Sequence, residues 1–229
     1  MKNYIYKYEM HIHTRPCSGG GSDIREHIDE LIQKGYSGMV VTNHFYAGDT
    51  RIDRDLPWED FVDAYRQDYL YGLEYAKERD FDLLFGLEEN VGGGQEILIY
   101  GITPELIAEH PELKRASAEV FAEVVHFAGG LVYQAHPYRA RDYIRKPFPL
   151  ECLDQLDGIE VYNAGNEPEW NESARIFAEE NGFPCIAGSD GHSVASAGRA
   201  GIAVGERIGN NEELIRILKS GEYTVFVNE

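Results

Sequence analysis

Glu9-Met10-His11-Ile12-His13-Thr14 closes the first alternating run of the chain, in which Tyr4, Tyr6 and Tyr8 alternate with Lys7 and Glu9. A period of two predicts a strand, and residues two apart in a strand share a face. His11 and His13 therefore present both imidazoles on one side, at the strand's C-terminal mouth. Neutral histidine is a common ligand for zinc, iron and manganese, so the pair is half of a metal site. A lone His-x-His on an exposed strand end reads more simply as two hydrogen-bonded polar side chains. The rest of the sequence decides between these readings.

Further strands end in the same way. Met39-Val40-Val41-Thr42-Asn43-His44 is a short buried-type strand finishing on histidine. Phe81 to Leu87 runs into Glu88-Glu89, and Leu131 to Ala135 into His136-Pro137. Gly158 to Asn163 is another strand, and Pro184 to Ala187 leads to Gly188-Ser189-Asp190-Gly191-His192. Helical patterns lie between them. Ser22 or Asp23 caps Ile24 to Lys34, whose stripe is Ile24, Ile28, Leu31 and Ile32. Pro57 opens a helix to about Arg79, striped by Phe61, Tyr65, Tyr69 and Leu73. Pro104 to His110, Ala116 to Ala128, Glu167 to Asn181 and Asn211 to Lys219 are also helical, and strands fall near Ile202 to Val204 and over Tyr223 to Val227. Gly92-Gly93-Gly94 reads as a turn into Ile97-Leu98-Ile99-Tyr100, which could pair back as a hairpin.

Alternation of strands with helices predicts parallel strands joined by crossovers. Short, numerous strands favour a closed or nearly closed barrel over an open sheet. The polar clusters sit at strand C-termini, where barrel active sites assemble. The 229 residues suffice for one such domain, 1–229, with no linker or internal repeat dividing it.

Five strand ends thus deliver ligand-type residues: His11/His13, His44, Glu88, His136 and Asp190/His192. Five of the eight histidines are accounted for; His27, His110 and His126 fall on or beside helices. Ser189-Asp190-Gly191 alone reads as a turn, but five converging ends favour a metal site. These residues exceed the four ligands of one tetrahedral zinc. They point to at least two ions sharing a bridging carboxylate and a bridging hydroxide, which suits displacement at phosphorus. Bound metal also lowers the pKa of water toward neutrality.

Composition narrows the partners. Lys and Arg number 21 against 40 Asp and Glu, a net charge of −19. Such a surface repels long nucleic acid and anionic membrane, whereas metal ions can still draw in a small anion. Three cysteines, Cys17, Cys152 and Cys185, without a C-x-x-C pair, suggest a reducing compartment rather than a disulfide framework. The polar start carries no signal-peptide pattern, and no apolar run approaches the ~20 residues of a membrane helix. A cytoplasmic protein is expected.

The ordered set Met10-His11-Ile12-His13-Thr14, Thr42-Asn43-His44, Gly86-Leu87-Glu88, Ala135-His136-Pro137, Glu160-Val161-Tyr162-Asn163 and Gly188-Ser189-Asp190-Gly191-His192 resembles the PHP family, named for polymerase and histidinol phosphatase. The likeness spans nearly the whole chain. It implies an α/β fold, a distorted TIM-like (β/α)7 barrel, with up to three divalent ions (zinc, manganese or iron) and hydrolysis of phosphoesters by a metal-bridging hydroxide. By motif, His11, His13, Glu88 and Asp190 would hold a first ion. Glu88 would bridge to a second, shared with His136. Glu96 stands where many members carry a histidine ligand; a carboxylate there favours manganese or iron over zinc, and an exposed strand charge is the other reading. His44 and His192 would hold a third ion. The family normally adds an Asp or His soon after His-x-His, and this chain has Pro16-Cys17-Ser18-Gly19 there. With that site empty, His44 or His192 could act as acid or base for the leaving group. Asn43 replaces a common Asp and would position its neighbour.

Arg139 matches a family position and would stabilise the transferring phosphoryl group; Arg15 and Arg199 are further candidates for binding phosphate. Surface ion pairs are the competing reading for all three arginines. The expected substrate is a small phosphorylated metabolite, histidinol phosphate being one candidate. A nucleotide or short oligonucleotide is the alternative. A metal-bound binding module with little turnover is the reading outside enzymology.

Overall fold

The first strand, β1 (Tyr6–Ile12), is third from one edge of a nine-stranded mixed sheet that curls into a nearly closed barrel. A computed structural model describes residues 4–17 and 21–228; Ser18 and Gly19 of the loop after His13 lie outside them. The elements follow in order: α1 (Ile24–Gln33), β2 (Gly38–Val41), α2 (Trp58–Lys77), β3 (Asp82–Gly92), β4 (Gln95–Tyr100), α3 (Pro104–Ala108), α4 (Ala118–Phe127) and β5 (Leu131–Ala135). Then come β6 (Gly158–Asn163), α5 (Pro168–Asn181), β7 (Cys185–Gly188), β8 (Ala200–Val204), α6 (Asn211–Ser220) and β9 (Tyr223–Val227). The sheet order is β7-β6-β5-β4-β3-β2-β1-β8-β9. Among the described residues, no helix is long and apolar enough to cross a membrane.

The expectation of parallel strands holds only in part. β1, β2 and β3 pair in parallel, as do β5, β6 and β7. β4 runs antiparallel between β3 and β5, and β8 antiparallel between β1 and β9. A tight connection explains the first reversal. Gly92, Gly93 and Gly94 all adopt positive φ, so β3 folds directly back as β4 without a crossover helix.

The hairpin also lengthens β3 beyond its expected end at Leu87. Parallel pairing with β2 stops at Phe85, but antiparallel pairing continues through Glu88 opposite Leu98 and Asn90 opposite Glu96. Glu88 thus lies inside a strand, and Glu96 is brought beside it from β4 and opposite Ala135 of β5.

β7 and β1 meet without an extended ladder. His11 O accepts from Asp190 N at 2.8 Å, and Gly191 O from His13 N at 3.0 Å. Beneath them the buried Glu9 carboxylate accepts from Met10 N, His11 N, Ser189 N and Gly198 N at 2.9–3.3 Å, and from the Ser189 hydroxyl. Burial pushes the Glu9 pKa up to about 7, while the Ser189 donors favour its charged form. One carboxylate thereby ties the start of the metal-ligand motif to the segments following β7 and preceding β8.

One apolar cluster joins Tyr8, Met10, Leu98, Tyr100, Tyr133 and Ile202 to Leu214, Ile217 and Leu218 of α6. A second packs α2 and α4 through Phe61, Tyr65 and Phe121 against Phe85, Leu87, Ile97 and Ile99. Ile24, Ile28 and Leu31 of α1 are buried, but Ile32, expected in the same stripe, is 38% exposed because it falls at the stripe's margin. Asp23, not Ser22, caps α1: it accepts from Arg25 N at 3.0 Å, and Glu26 returns a bond to Asp23 N. Asp23→Ala should cost about 1 kcal/mol in urea unfolding. The Arg25 side chain, by hydrogen bonding, holds the Asp23 carboxyl below its ordinary value of 3.8. A depressed folded pKa contributes stability above that value and loses it as pH falls through the folded pKa. The gap between wild type and variant should therefore shrink below about pH 4.

Candidate metal centre

Glu88, fully buried, stands among four imidazoles. Its oxygens lie 3.2 Å from His11 Nε2, 3.3 Å from His13 Nε2, 2.8 Å from His44 Nδ1 and 3.1 Å from His136 Nε2. Asp190 approaches from β7's end, with Oδ1 at 3.0 Å from His13 Nε2 and 3.5 Å from His11 Nε2. Glu96 completes the ring, 3.4 Å from His136 Nε2 and 4.0 Å from His44 Nδ1. Residues from six parts of the chain thus bring their donor atoms into one small volume.

Two positions reach the cluster through unusual backbone. His136 has φ 28° and Asp190 has φ 50°. Non-glycine residues rarely adopt positive φ, and such strain is characteristic of functional sites.

These donors fit divalent ions better than they fit one another. His44 Nδ1 and Glu88 Oε2 are 2.8 Å apart, yet each is a buried atom without a hydrogen-bond partner. Proximity without hydrogen-bond direction means that the two are not aimed at each other. Buried polar atoms seldom stay unsatisfied, and a cation between such donors would satisfy them. The sets His11–His13–Asp190, His11–Glu88–His136 and His44–Glu88–Glu96 each gather three ligand atoms within 4.8 Å. His44 groups here with Glu88 and Glu96, and the His192 ring lies 5.5 Å from the His44 ring. His192 instead stacks on His13, ring centroids 4.2 Å apart, and lines the cavity above.

Electrostatics hold Glu88, Asp190 and His13 in binding form, whereas Glu96, His11 and His44 would give up protons as ions bind. Burial opposes the Glu88 charge, but the charges of His11 and His44 outweigh it and hold the carboxyl well below the usual range. Burial likewise opposes the Asp190 charge, which Arg139 and His11 hold well below its ordinary value. Glu96 is pushed up to about 8, by burial and then by the Glu88 charge. Burial and the His44 charge keep the His13 imidazole well below the ordinary histidine value, hence neutral.

A shell that sequence reasoning left without roles orients the ligands. His11 Nδ1 lies 2.8 Å from Glu160 Oε1, and Glu160 Oε2 accepts from His136 N at 2.9 Å and Asn163 Nδ2 at 3.0 Å. Carboxylate partners of this kind fix the tautomer of a ligating histidine. The signal was present: Glu160 and Asn163 end β6 as His136 ends β5. Asn43, expected to position its neighbour, accepts from Thr14 N at 2.6 Å and from the Cys17 thiol at 3.3 Å. Glu89 faces away, accepting from Tyr46 N, Ala47 N and Asn90 N.

The arginines separate. Arg139 is buried and donates through Nη2 to Asp190 Oδ2 at 2.6 Å and Asn163 Oδ1 at 2.8 Å, and through Nε to Asn166 Oδ1 at 2.8 Å. It also lines a cavity of about 660 Å³ over the cluster, together with His44, Asn90, Arg141, Tyr143 and His192. Arg15 pairs with Asp23 at 3.1 Å, and Arg199 lines a different cavity beside Lys34 and Asn228, so the structure brings neither to the mouth. Arg141, unremarked in the sequence, lies over the Trp170 ring at 5.1 Å and reaches the mouth two residues after Arg139. Phe45, Tyr46 and Trp58 pack with Phe61 in the core, so they are not open faces for a substrate ring. His110 pairs with Glu112, His126 with Asp157, and His27 is buried on α1. The cysteines are free.

A family model described as PHP-associated matches residues 168–223. The fold of the whole chain matches a two-domain protein from Bacteroides vulgatus containing a predicted PHP-like metal-dependent phosphoesterase, at TM-score 0.70 and 17% identity over 97% of this chain. The chain has the fold of that PHP-like protein. It spans 65% of that Bacteroides protein. An amidohydrolase from Chromobacterium violaceum, with bound sulfate and no metal, matches at TM-score 0.61 and 16% identity, covering 96% of this chain and 97% of that one. A lesion-specific endonuclease from Pyrococcus furiosus matches at TM-score 0.64 and 13% identity, covering 96% and 57%. At these identities the likeness to the solved structures is one of fold. No curated protein sequence matches the chain. The PHP fold explains why the strand-end motifs recur in this order: each occupies a successive station around one barrel mouth.

Proposed function

We propose that this protein, PHP-like in fold, is a metal-dependent hydrolase that cleaves a small phosphomonoester. The observation that carries the reading is the Glu88 carboxylate among four imidazoles, with the unsatisfied Oε2 and Nδ1 atoms of Glu88 and His44 side by side. His11, His13 and Asp190 would hold one ion, and His136, His44 and Glu96 would complete the sphere around Glu88. When bound, such ions supply Lewis acidity and make hydroxide available near neutral pH.

The chain's own residues supply the remainder. Arg139 anchors Asp190 and, with Arg141, sets positive charge on the cavity wall of a protein carrying −19 overall. Asp49, Glu88, Glu96 and Asp190 share that wall, so it is bound ions together with these arginines that would admit a phosphate where the wider surface repels a polyanion. His192 lines the cavity beside the cluster, placed to hand a proton to the departing alkoxide. A volume near 660 Å³ suits a metabolite-sized ligand.

The test is a screen of phosphomonoesters against phosphodiesters and oligonucleotides, on protein reconstituted separately with manganese, iron and zinc. Preferred cleavage of one monoester supports the reading. Preferred cleavage of diesters would move the assignment to a phosphodiesterase. Full metal content with no hydrolysis would leave a metal-bound binding module. Arg139→Lys keeps charge but loses the fork that spans Asp190, Asn163 and Asn166. It should lower kcat/KM by roughly tenfold or more, since outer partners of metal ligands are worth about 10–100-fold.

A further inference from the structure

Cys17 sits where PHP proteins normally place another ligand after His-x-His, and it is fully buried against the centre. Its Sγ lies 3.4 Å from His13 Nδ1, accepts from His44 N at 3.3 Å and donates to Asn43 Oδ1 at 3.3 Å. Cys17, His13 and His44 could also be read as a third metal set, since their ligand atoms gather within 4.8 Å.

The two faces of His13 decide between these arrangements. Nε2 looks into the cluster, 3.0 Å from Asp190 Oδ1, 3.1 Å from His11 Nε2 and 3.3 Å from Glu88 Oε2. Nδ1 looks the opposite way, at the sulfur. A neutral imidazole carries one proton and one lone pair. A ligand role for Cys17 in that set would require the lone pair on Nδ1, which would strip Nε2 of its part in the cluster. The thiol's single hydrogen is directed to Asn43, an acceptor, so the sulfur lone pairs are left to receive the His13 Nδ1–H and His44 N–H. Every contact at the sulfur is then satisfied without a cation.

From this geometry we infer that Cys17 is a positioning residue. Its thiol holds His13 in the Nδ1–H tautomer and pins the His44 backbone, and it is not a ligand of a third ion. Glu160 does the same for His11 with a carboxylate, at 2.8 Å from Nδ1. The two adjacent ligand histidines are thus oriented by different chemistries. The inference rests on the metal-centre reading above.

Cobalt(II) reconstitution separates the two. The wild-type holoprotein should bind cobalt with no cysteine-thiolate charge-transfer band in the near ultraviolet, and Cys17→Ser should give the same spectrum. A thiolate band lost in Cys17→Ser would overturn the inference while leaving the metal centre standing. Failure to bind cobalt, manganese or zinc at all would sink the metal-centre reading instead. A second readout, on the zinc-loaded protein, is nitrogen-15 NMR of the His13 Nδ1–H. The Nδ1–H should be hydrogen-bonded and slow to exchange in wild type and in Cys17→Ser, and should shift and exchange faster in Cys17→Ala. An Nε2–H form in wild type, or a ring insensitive to Cys17→Ala, would refute the role. Metal affinity should follow the same order, near wild type in Cys17→Ser and lower by about 10–100-fold in Cys17→Ala. Circular dichroism of both variants checks that the fold is retained.

Discussion

Glu88→Gln should leave at most one metal equivalent per chain and lower hydrolysis by more than about 100-fold, beyond what loss of an outer-shell partner produces. The reason is local. Glu88 has both oxygens within 2.8–3.3 Å of four ligand histidines, so it is the one carboxylate placed to serve two ions together. Glutamine keeps the shape but offers a single acceptor oxygen, no negative charge and an amide that donates hydrogen bonds. The neighbouring Glu89 is the control. It is equally buried, but its partners are the backbone N–H groups of Tyr46, Ala47 and Asn90. Glu89→Gln should keep its metal and instead lose about 1–3 kcal/mol of stability, because bonds to a charged acceptor are weakened in a buried loop. Elemental analysis with urea unfolding of both variants distinguishes them. Equal metal content in wild type and Glu88→Gln would mean that Glu88 does not bridge.

This contrast also shows what a sequence can carry. Alternation in a strand states that Glu88 and Glu89 face opposite ways, and that rule places His11, His13 and Glu88, whereas His136 and Asp190 arrive through positive-φ backbone just past their strands. Strand ends are legible because each couples an apolar run, whose burial is forced, to a polar residue that would otherwise be placed at a loss. Long-range pairing is not legible in the same way. The antiparallel β4 depends on Gly92, Gly93 and Gly94 turning the chain tightly, and a crossover of unread length could have stood in its place. Because β4 returns beside β3, Glu96 reaches His136 and His44, a neighbourhood that spacing alone leaves open. The arginines failed for a related reason. Arg15 follows the first motif directly but meets Asp23, whose capping position is set by α1 rather than by the site. Arg141 carried no motif, and its place at the mouth comes from Trp170 on α5, a helix distant in sequence.

Gly188→Ala tests how closely the barrel's closure and the metal centre are joined. A Cβ at Gly188 would fall 2.3 Å from the Cβ of His11 and 3.0 Å from both His11 N and Glu160 Oε1. The first distance is impossible for two carbon atoms, so β1 or β7 must give way. They meet here through His11 O with Asp190 N, His13 N with Gly191 O and the Glu9 carboxylate with Ser189, not through a long ladder, so few bonds restrain the seam. Overpacking of this kind costs about 1–3 kcal/mol. At this chain length that corresponds to a Tm lower by roughly 2–4 °C per kcal/mol. The displacement falls on the His11–Glu160 bond and on the backbone carrying Asp190, so metal affinity should drop together with stability, by about 10–100-fold. Gly209→Ala is the matched comparison, since its added Cβ meets only Glu213 Oε2, at 3.5 Å, an ordinary contact. It should change neither quantity appreciably. A Gly188→Ala protein that melts early yet binds metal as the wild type does would show that the seam can relax without moving His11. In that outcome the centre would be held by Glu88 and its four imidazoles, and closure of the barrel would contribute only to the fold.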